Sequence, residues 1–116
     1  MNEVQKVSIK QDPLYQLLRE GDIEKFNQRR AQGEECDMTY CDMRGLDLRN
    51  MNAEGIDFSH SYFRQADLRG IDFSSSGMEG VSINGSKISG TWFPQALSAE
   101  EILLSVVHGT RMRYRQ

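Results

Sequence analysis

Two cysteines, two histidines, two prolines and one tryptophan are all that 116 residues supply of those types. Two thiols cannot build the disulfide framework that staples small secreted domains. A structural zinc would need two ligands besides Cys36 and Cys41, and only His60 and His108 exist. No apolar run approaches the roughly 20 residues of a membrane-spanning helix. The opening Met1-Asn2-Glu3 lacks the basic and apolar parts of a signal peptide, so a soluble cytoplasmic protein is expected. A formal charge of −3 is too small to argue for nucleic-acid or membrane binding. Catalytic constellations are scarce as well. His60 follows Ser59, but no acidic orienter accompanies them. The stretch Asn84-Gly85-Ser86-Lys87-Ile88-Ser89-Gly90 is glycine-rich without phosphate-loop spacing. A non-enzyme with no cofactor, metal or catalytic residue is expected.

What the chain has is a period. From residue 36 to 95 a unit of five residues is written twelve times without a gap, beginning Cys36-Asp37-Met38-Thr39-Tyr40 and ending Thr91-Trp92-Phe93-Pro94-Gln95. Every central residue is apolar: Met38, Met43, Leu48, Ala53, Phe58, Phe63, Leu68, Phe73, Met78, Ile83, Ile88 and Phe93. The residue two before each centre is small or apolar, and the other three places hold most of the charge and glycine. A helix would place apolar residues at three, four and seven, and a half-buried strand would alternate by two. Neither survives a strict period of five. A fixed period held this long marks units that bury their faces only by stacking on neighbours. Glycines at the last place, such as Gly45, Gly55 and Gly70, suit corners between short extended segments.

The unit resembles the pentapeptide-repeat family, whose consensus is Ala, then Asp or Asn, then Leu, then two variable residues. Ala66-Asp67-Leu68-Arg69-Gly70 matches it fully; Leu46-Asp47-Leu48, Ile56-Asp57-Phe58 and Ile71-Asp72-Phe73 come close. The resemblance implies an all-β solenoid: a right-handed quadrilateral parallel β-helix with four units per coil. Twelve units then make three coils, a stack about 15 Å tall. Units 9 to 12 depart at the second place, with Gly77, Ser82, Lys87 and Trp92, so the last coil is expected to be looser. Some relatives, the quinolone-resistance proteins, imitate DNA and occupy gyrase. The short rod and its arginines count against that transfer.

Three segments follow: residues 1–35 as lead and helical hairpin cap, 36–95 as the repeat, and 96–116 as capping helix and basic tail. Residues 1–11 alternate weakly around Val4, Val7 and Ile9, a disordered lead or an edge strand. Asp12-Pro13 opens a helix with Leu14, Leu17 and Leu18 in a stripe. Gly21 stops it, and Asp22 caps a second helix with Ile23 and Phe26 inward. This hairpin is expected to cover the first coil, whose bare edge would invite aggregation; a partner-binding hairpin is the alternative. Ser98 and Glu101 form a capping box for a helix running to about His108, with Gly109 as C-cap. Beyond it Arg111, Arg113 and Arg115 alternate with Met112 and Tyr114. A solvated terminus is expected there, with an edge strand or a basic arm as alternatives.

The candidate sites lie outside the core. Stacking at a spacing of twenty places Arg44 below Arg64 and Arg49 below Arg69, interleaved with Asp42, Asp47 and Asp67. This mixed-charge face is the expected contact for a protein partner. Ile102, Leu103, Val106 and Val107 give the terminal helix a broad apolar face. One stripe can seal the last coil, and Leu103 with Val107, or Ile102 with Val106, can join two copies into a homodimer, as a C-terminal helix does in several relatives. Trp92 points outward and is expected to pack under that helix. Cys36 and Cys41 are expected to be buried thiols acting as small hydrophobes.

Overall fold

The computed structural model describes residues 6–115. Three helices occur among them: α1 (Pro13–Glu20), α2 (Ile23–Ala31) and α3 (Ala99–His108). Asp12 caps α1 by accepting from Leu14 N and Tyr15 N at 2.9 and 3.0 Å. Gly21 ends it in the left-handed region, φ 81°, which glycine adopts without a steric cost. Asp22 and Ser98 cap α2 and α3 in the same manner.

Between the hairpin and α3 the chain coils. Parallel bridges join Asp42 to Tyr62, Asp47 to Asp67, Asp57 to Gly77, Tyr62 to Ser82, Asp67 to Lys87 and Asp72 to Trp92. Each pair is twenty residues apart, so four units complete one turn and the coil has four sides. Units 1, 5 and 9 stack on the first side, 2, 6 and 10 on the second, 3, 7 and 11 on the third, and 4, 8 and 12 on the fourth. Each bridge is one residue long, and the described residues contain no extended strand. The reason lies in the unit. The fifth place of most units takes positive φ, as in Gly45 (74°) and even in Asn50 (72°) and His60 (65°). The second-place carboxylate or amide accepts from the N–H two residues on, as Asp47 does from Arg49 at 3.2 Å and Asn52 from Glu54 at 3.1 Å. This side-chain turn uses so much of each unit that only one residue is left to pair.

The axis of the coil is the core. Ten of the twelve centres, Met38 through Ile83, are no more than 2% exposed. Phe58, Phe63 and Phe73 pack edge-on, with ring centroids 5.4, 5.6 and 5.9 Å apart, the geometry aromatic quadrupoles favour. Hydroxyl residues at the inward small place are satisfied across the stack. Ser61 donates to the Met38 carbonyl, Ser76 to Ala53 and Thr91 to Leu68, each at 2.6 Å. An unpaired hydroxyl there would cost about 1–3 kcal/mol. Cys41 is fully buried and Cys36 partly so, both as free thiols. Burial pushes them up to about 12 and about 11, which keeps both protonated and unreactive at neutral pH. Ile88 and Phe93, the last two centres, are only partly buried, whereas Met78 and Ile83 are fully buried, so the looseness expected of the whole last coil is confined to its second half.

Side chains of the hairpin close the first coil. Asp12 accepts from Asp37 N at 3.0 Å, and Tyr15 Oη donates to the Asp42 carbonyl at 2.7 Å. Asn27 bonds twice, donating to the Asn50 carbonyl at 2.9 Å and accepting from Asn52 N at 2.8 Å. Ser8 adds a short rung, bridged in parallel to Cys41. Of the alternating residues expected in this lead, Val4 lies outside the described residues.

Two expectations at the other end are corrected. The tail is not a solvated terminus. Met112 is fully buried, donating to the Val81 carbonyl at 2.9 Å and accepting from Gly80 N at 2.7 Å. Tyr114 Oη accepts from Met78 N at 2.7 Å. The apolar Met112 and the unmet donors of the last coil outweigh the entropy of a free end. The capping box is also only half formed. Ser98 accepts from Glu101 N, but the Glu101 carboxylate pairs with Arg113 at 2.9 Å, because the docked tail brings a guanidinium to it.

Candidate interaction face

The second-place aspartates carry more than turns. Once the turn fixes the carboxylate, an arginine two residues on emerges beside it. Asp42 takes Arg44 bidentately at 2.9 and 2.8 Å. Asp47 takes Arg49, and Asp67 takes Arg69, at 2.9 and 2.7 Å. Arg49 Nε also reaches Asp67 of the coil above at 3.3 Å. Paired forks of this kind are the stronger hydrogen bonds of a surface. The Arg69 fork holds the Asp67 carboxyl down to about 2. The Arg44 and Arg49 forks lower Asp42 and Asp47 in the same way. Each guanidinium is exposed yet fixed in direction, and Arg49 sits between two carboxylates of successive coils.

Arg64 does not join this ladder. Its Nε donates to Ser82 Oγ at 3.0 Å and its Nη2 to the Gly109 carbonyl at 3.4 Å, while the guanidinium lies 4.2 Å over the Tyr62 ring. It holds the C-terminal cap. The cause was visible in the chain: the second place of its unit is Tyr62 rather than Asp, so no local carboxylate captures the fork. Arg111 donates to Tyr62 Oη at 3.0 Å and adds to the same cluster. The candidate face is therefore Asp42–Arg44 on the second side and Asp47–Arg49–Asp67–Arg69 on the third.

The register also divides the charge. All five basic residues of the repeat, Arg44, Arg49, Arg64, Arg69 and Lys87, stand on the second and third sides. The first and fourth sides carry Asp37, Asp57, Glu79, Glu54 and Asp72 and no arginine or lysine from the repeat.

On α3 the two apolar pairs separate. Ile102 and Val106 pack against the core, so the cap uses them. Leu103 and Val107 face solvent at 63% and 57% exposure, joined by Leu104 at 40%, a third residue that the pairwise reading of the sequence passed over. Trp92 does not pack under this helix; it is 67% exposed, because α3 lies across the second side while Trp92 caps the fourth. Tyr40 stacks on His60, centroids 4.8 Å apart, which occupies the histidine beside Ser59. Among the described residues no group of three His, Cys, Asp or Glu could hold a metal ion, and no helix is long and apolar enough to cross a membrane.

A family model for pentapeptide repeats matches residues 41–80 and 54–90, in eight copies. This is a pentapeptide-repeat protein. No curated protein and no solved structure matches the chain. Pentapeptide-repeat proteins are in general non-enzymatic and serve as interaction or structural modules.

Proposed function

We propose that this pentapeptide-repeat protein is a non-enzymatic, cytoplasmic protein-interaction module. Its scaffold is the right-handed, four-sided β-helix of the family, a reading supported by the twenty-residue register. Its working face is the ladder Asp42–Arg44 and Asp47–Arg49–Asp67–Arg69, which meets a protein partner. The observation that carries this is the fixing of three exposed guanidiniums by bidentate carboxylates on a packed coil. A partner's carboxylates meet donors already oriented, so little side-chain entropy is lost on binding. The arginines on two sides weigh against the DNA-mimic alternative, and the use of Asp12, Tyr15 and Asn27 in closing the first coil weighs against a hairpin-led accessory subunit.

The test is affinity capture from native lysate with the wild type beside Arg49→Glu/Arg69→Glu. A partner held by the wild type and lost by the double reversal, with unchanged thermal unfolding, supports the ladder. Equal retention by both removes it. Arg64 is unsuitable for this test because its loss would disturb the cap. A second reading, a homodimer through α3, is favoured by the exposure of Leu103, Leu104 and Val107. Sedimentation showing only monomer at high concentration would remove it.

A further inference from the structure

The upper edge of the last coil repeats one glycine corner three times, at Gly80, Gly85 and Gly90; Met112 and Val106 take the first two N–H groups, and the third is open among the described residues. At the first corner, Gly80 offers its N–H and Val81 its carbonyl, and the chain's own Met112 takes both. The centres flanking that corner, Met78 and Ile83, are fully buried. Two units on, Gly90 and Thr91 stand in the same relation to the coil below: Gly70 N donates to the Ser89 carbonyl, and Trp92 N to the Ile71 carbonyl. Gly90 has the same turn, φ 71° against 76° at Gly80. Yet among the described residues the N–H groups of Gly90 and Ile88 and the carbonyl of Thr91 have no partner. The flanking centres there, Ile88 and Phe93, are only partly buried. The difference between the two corners is the occupant.

We propose that the Gly90–Thr91 corner is a docking slot for an extended segment of another protein, carrying a long unbranched apolar residue between acidic neighbours. The Gly80 corner supplies the template. Met112 there pairs by its backbone and buries its side chain, while the two residues flanking it meet partners outside the core, Arg113 the Glu101 carboxylate and Arg111 the Tyr62 hydroxyl. At the open corner Lys87 is the only charged residue of the two units that form it, and no ion pair takes it among the described residues, so a flank that matches it is acidic. Trp92, exposed beside the slot, supplies the aromatic contact that interfaces favour. Backbone pairing gives such strand addition its affinity, and the inward residue gives its specificity. The slot is separate from the ladder face, so either can fail alone.

The test uses the full isotope-labelled chain and a short blocked peptide with methionine between two glutamates, beside the same peptide with serine for methionine. The slot predicts saturable NMR shifts at the Ile88, Gly90 and Thr91 amides and the Trp92 indole. It also predicts exchange of the Gly90 amide slowed by at least about tenfold. The serine peptide should do neither, and Trp92→Asp, an exposed change that leaves the core intact, should weaken binding about tenfold. No binding by about 5 mM peptide, or binding that leaves Gly90 unmoved, overturns the proposal. Gly90 protection that grows with protein concentration alone also overturns it, assigning the corner to a second copy.

Discussion

The two ends of the coil are closed by different means. At the N-terminal end, side chains from the hairpin reach all four sides: Asp12 to Asp37, Tyr15 to Asp42, and Asn27 to both Asn50 and Asn52. At the C-terminal end, among the described residues, the tail and α3 serve the first and second sides, with Met112, Tyr114, Val106 and Ser105 as partners, and touch the fourth only at its last residue, where Arg115 donates to the Gln95 carbonyl. The centres follow. Met38, Met43, Leu48 and Ala53 of the first coil are buried, whereas Ile88 and Phe93 of the last are not fully covered. Stacked repeats thus take their burial from whatever replaces the missing neighbour, and a side without a replacement stays loose.

Both ends rest on a common middle, and the largest effect comes from removing it. Phe63→Asp places a charge against the packed rings of Phe58 and Phe73 and should abolish cooperative unfolding, a loss above about 5 kcal/mol, read by circular dichroism. Next is the backbone-made cap. Met112→Ala leaves a void under the tail and should cost about 2–5 kcal/mol in urea unfolding, with faster exchange at Gly80 than at the hairpin end. The side-chain cap is broken by Asn27→Ala, which strands one carbonyl and one N–H. The expected cost is about 1–2 kcal/mol, with loosening confined to the first coil.

Smaller still is the pH effect of the ladder. Asp67 falls from its ordinary 3.8 to about 2 in the folded chain. A depressed carboxyl stabilises the fold above its unfolded value and loses that contribution as pH falls through the folded one. Thermal midpoints should therefore drop between about pH 4 and pH 2, and less so in Arg69→Gln. The smallest change should come from Leu103→Asp/Val107→Asp, within about 0.5 kcal/mol per site for the monomer. A larger destabilisation would show that this face already packs within the chain.

Much of this was legible in the chain. The period fixed the inward residues, and the caps Asp12, Asp22 and Ser98 declared themselves by residue type. The ladder was half legible: the columns were readable, but Arg64 left them because Tyr62 replaces the aspartate that would have captured it. The tail was misread because burial of a lone Met112 between arginines depends on an edge that only the folded coil creates. Trp92 was misread for the converse reason: where α3 lies is decided by Ser105 and Val106 meeting Ile83 and Gly85, not by proximity in sequence.

The most direct measurement is amide hydrogen exchange on the free, dilute protein, resolved at Gly80, Gly85 and Gly90. These three glycines end successive units of the last coil with the same turn. Slow exchange at Gly80 and Gly85 and fast exchange at Gly90 is the result expected of a coil capped on two sides and open at the next. Equal protection at all three would contradict the asymmetric closure on which the account of this end rests.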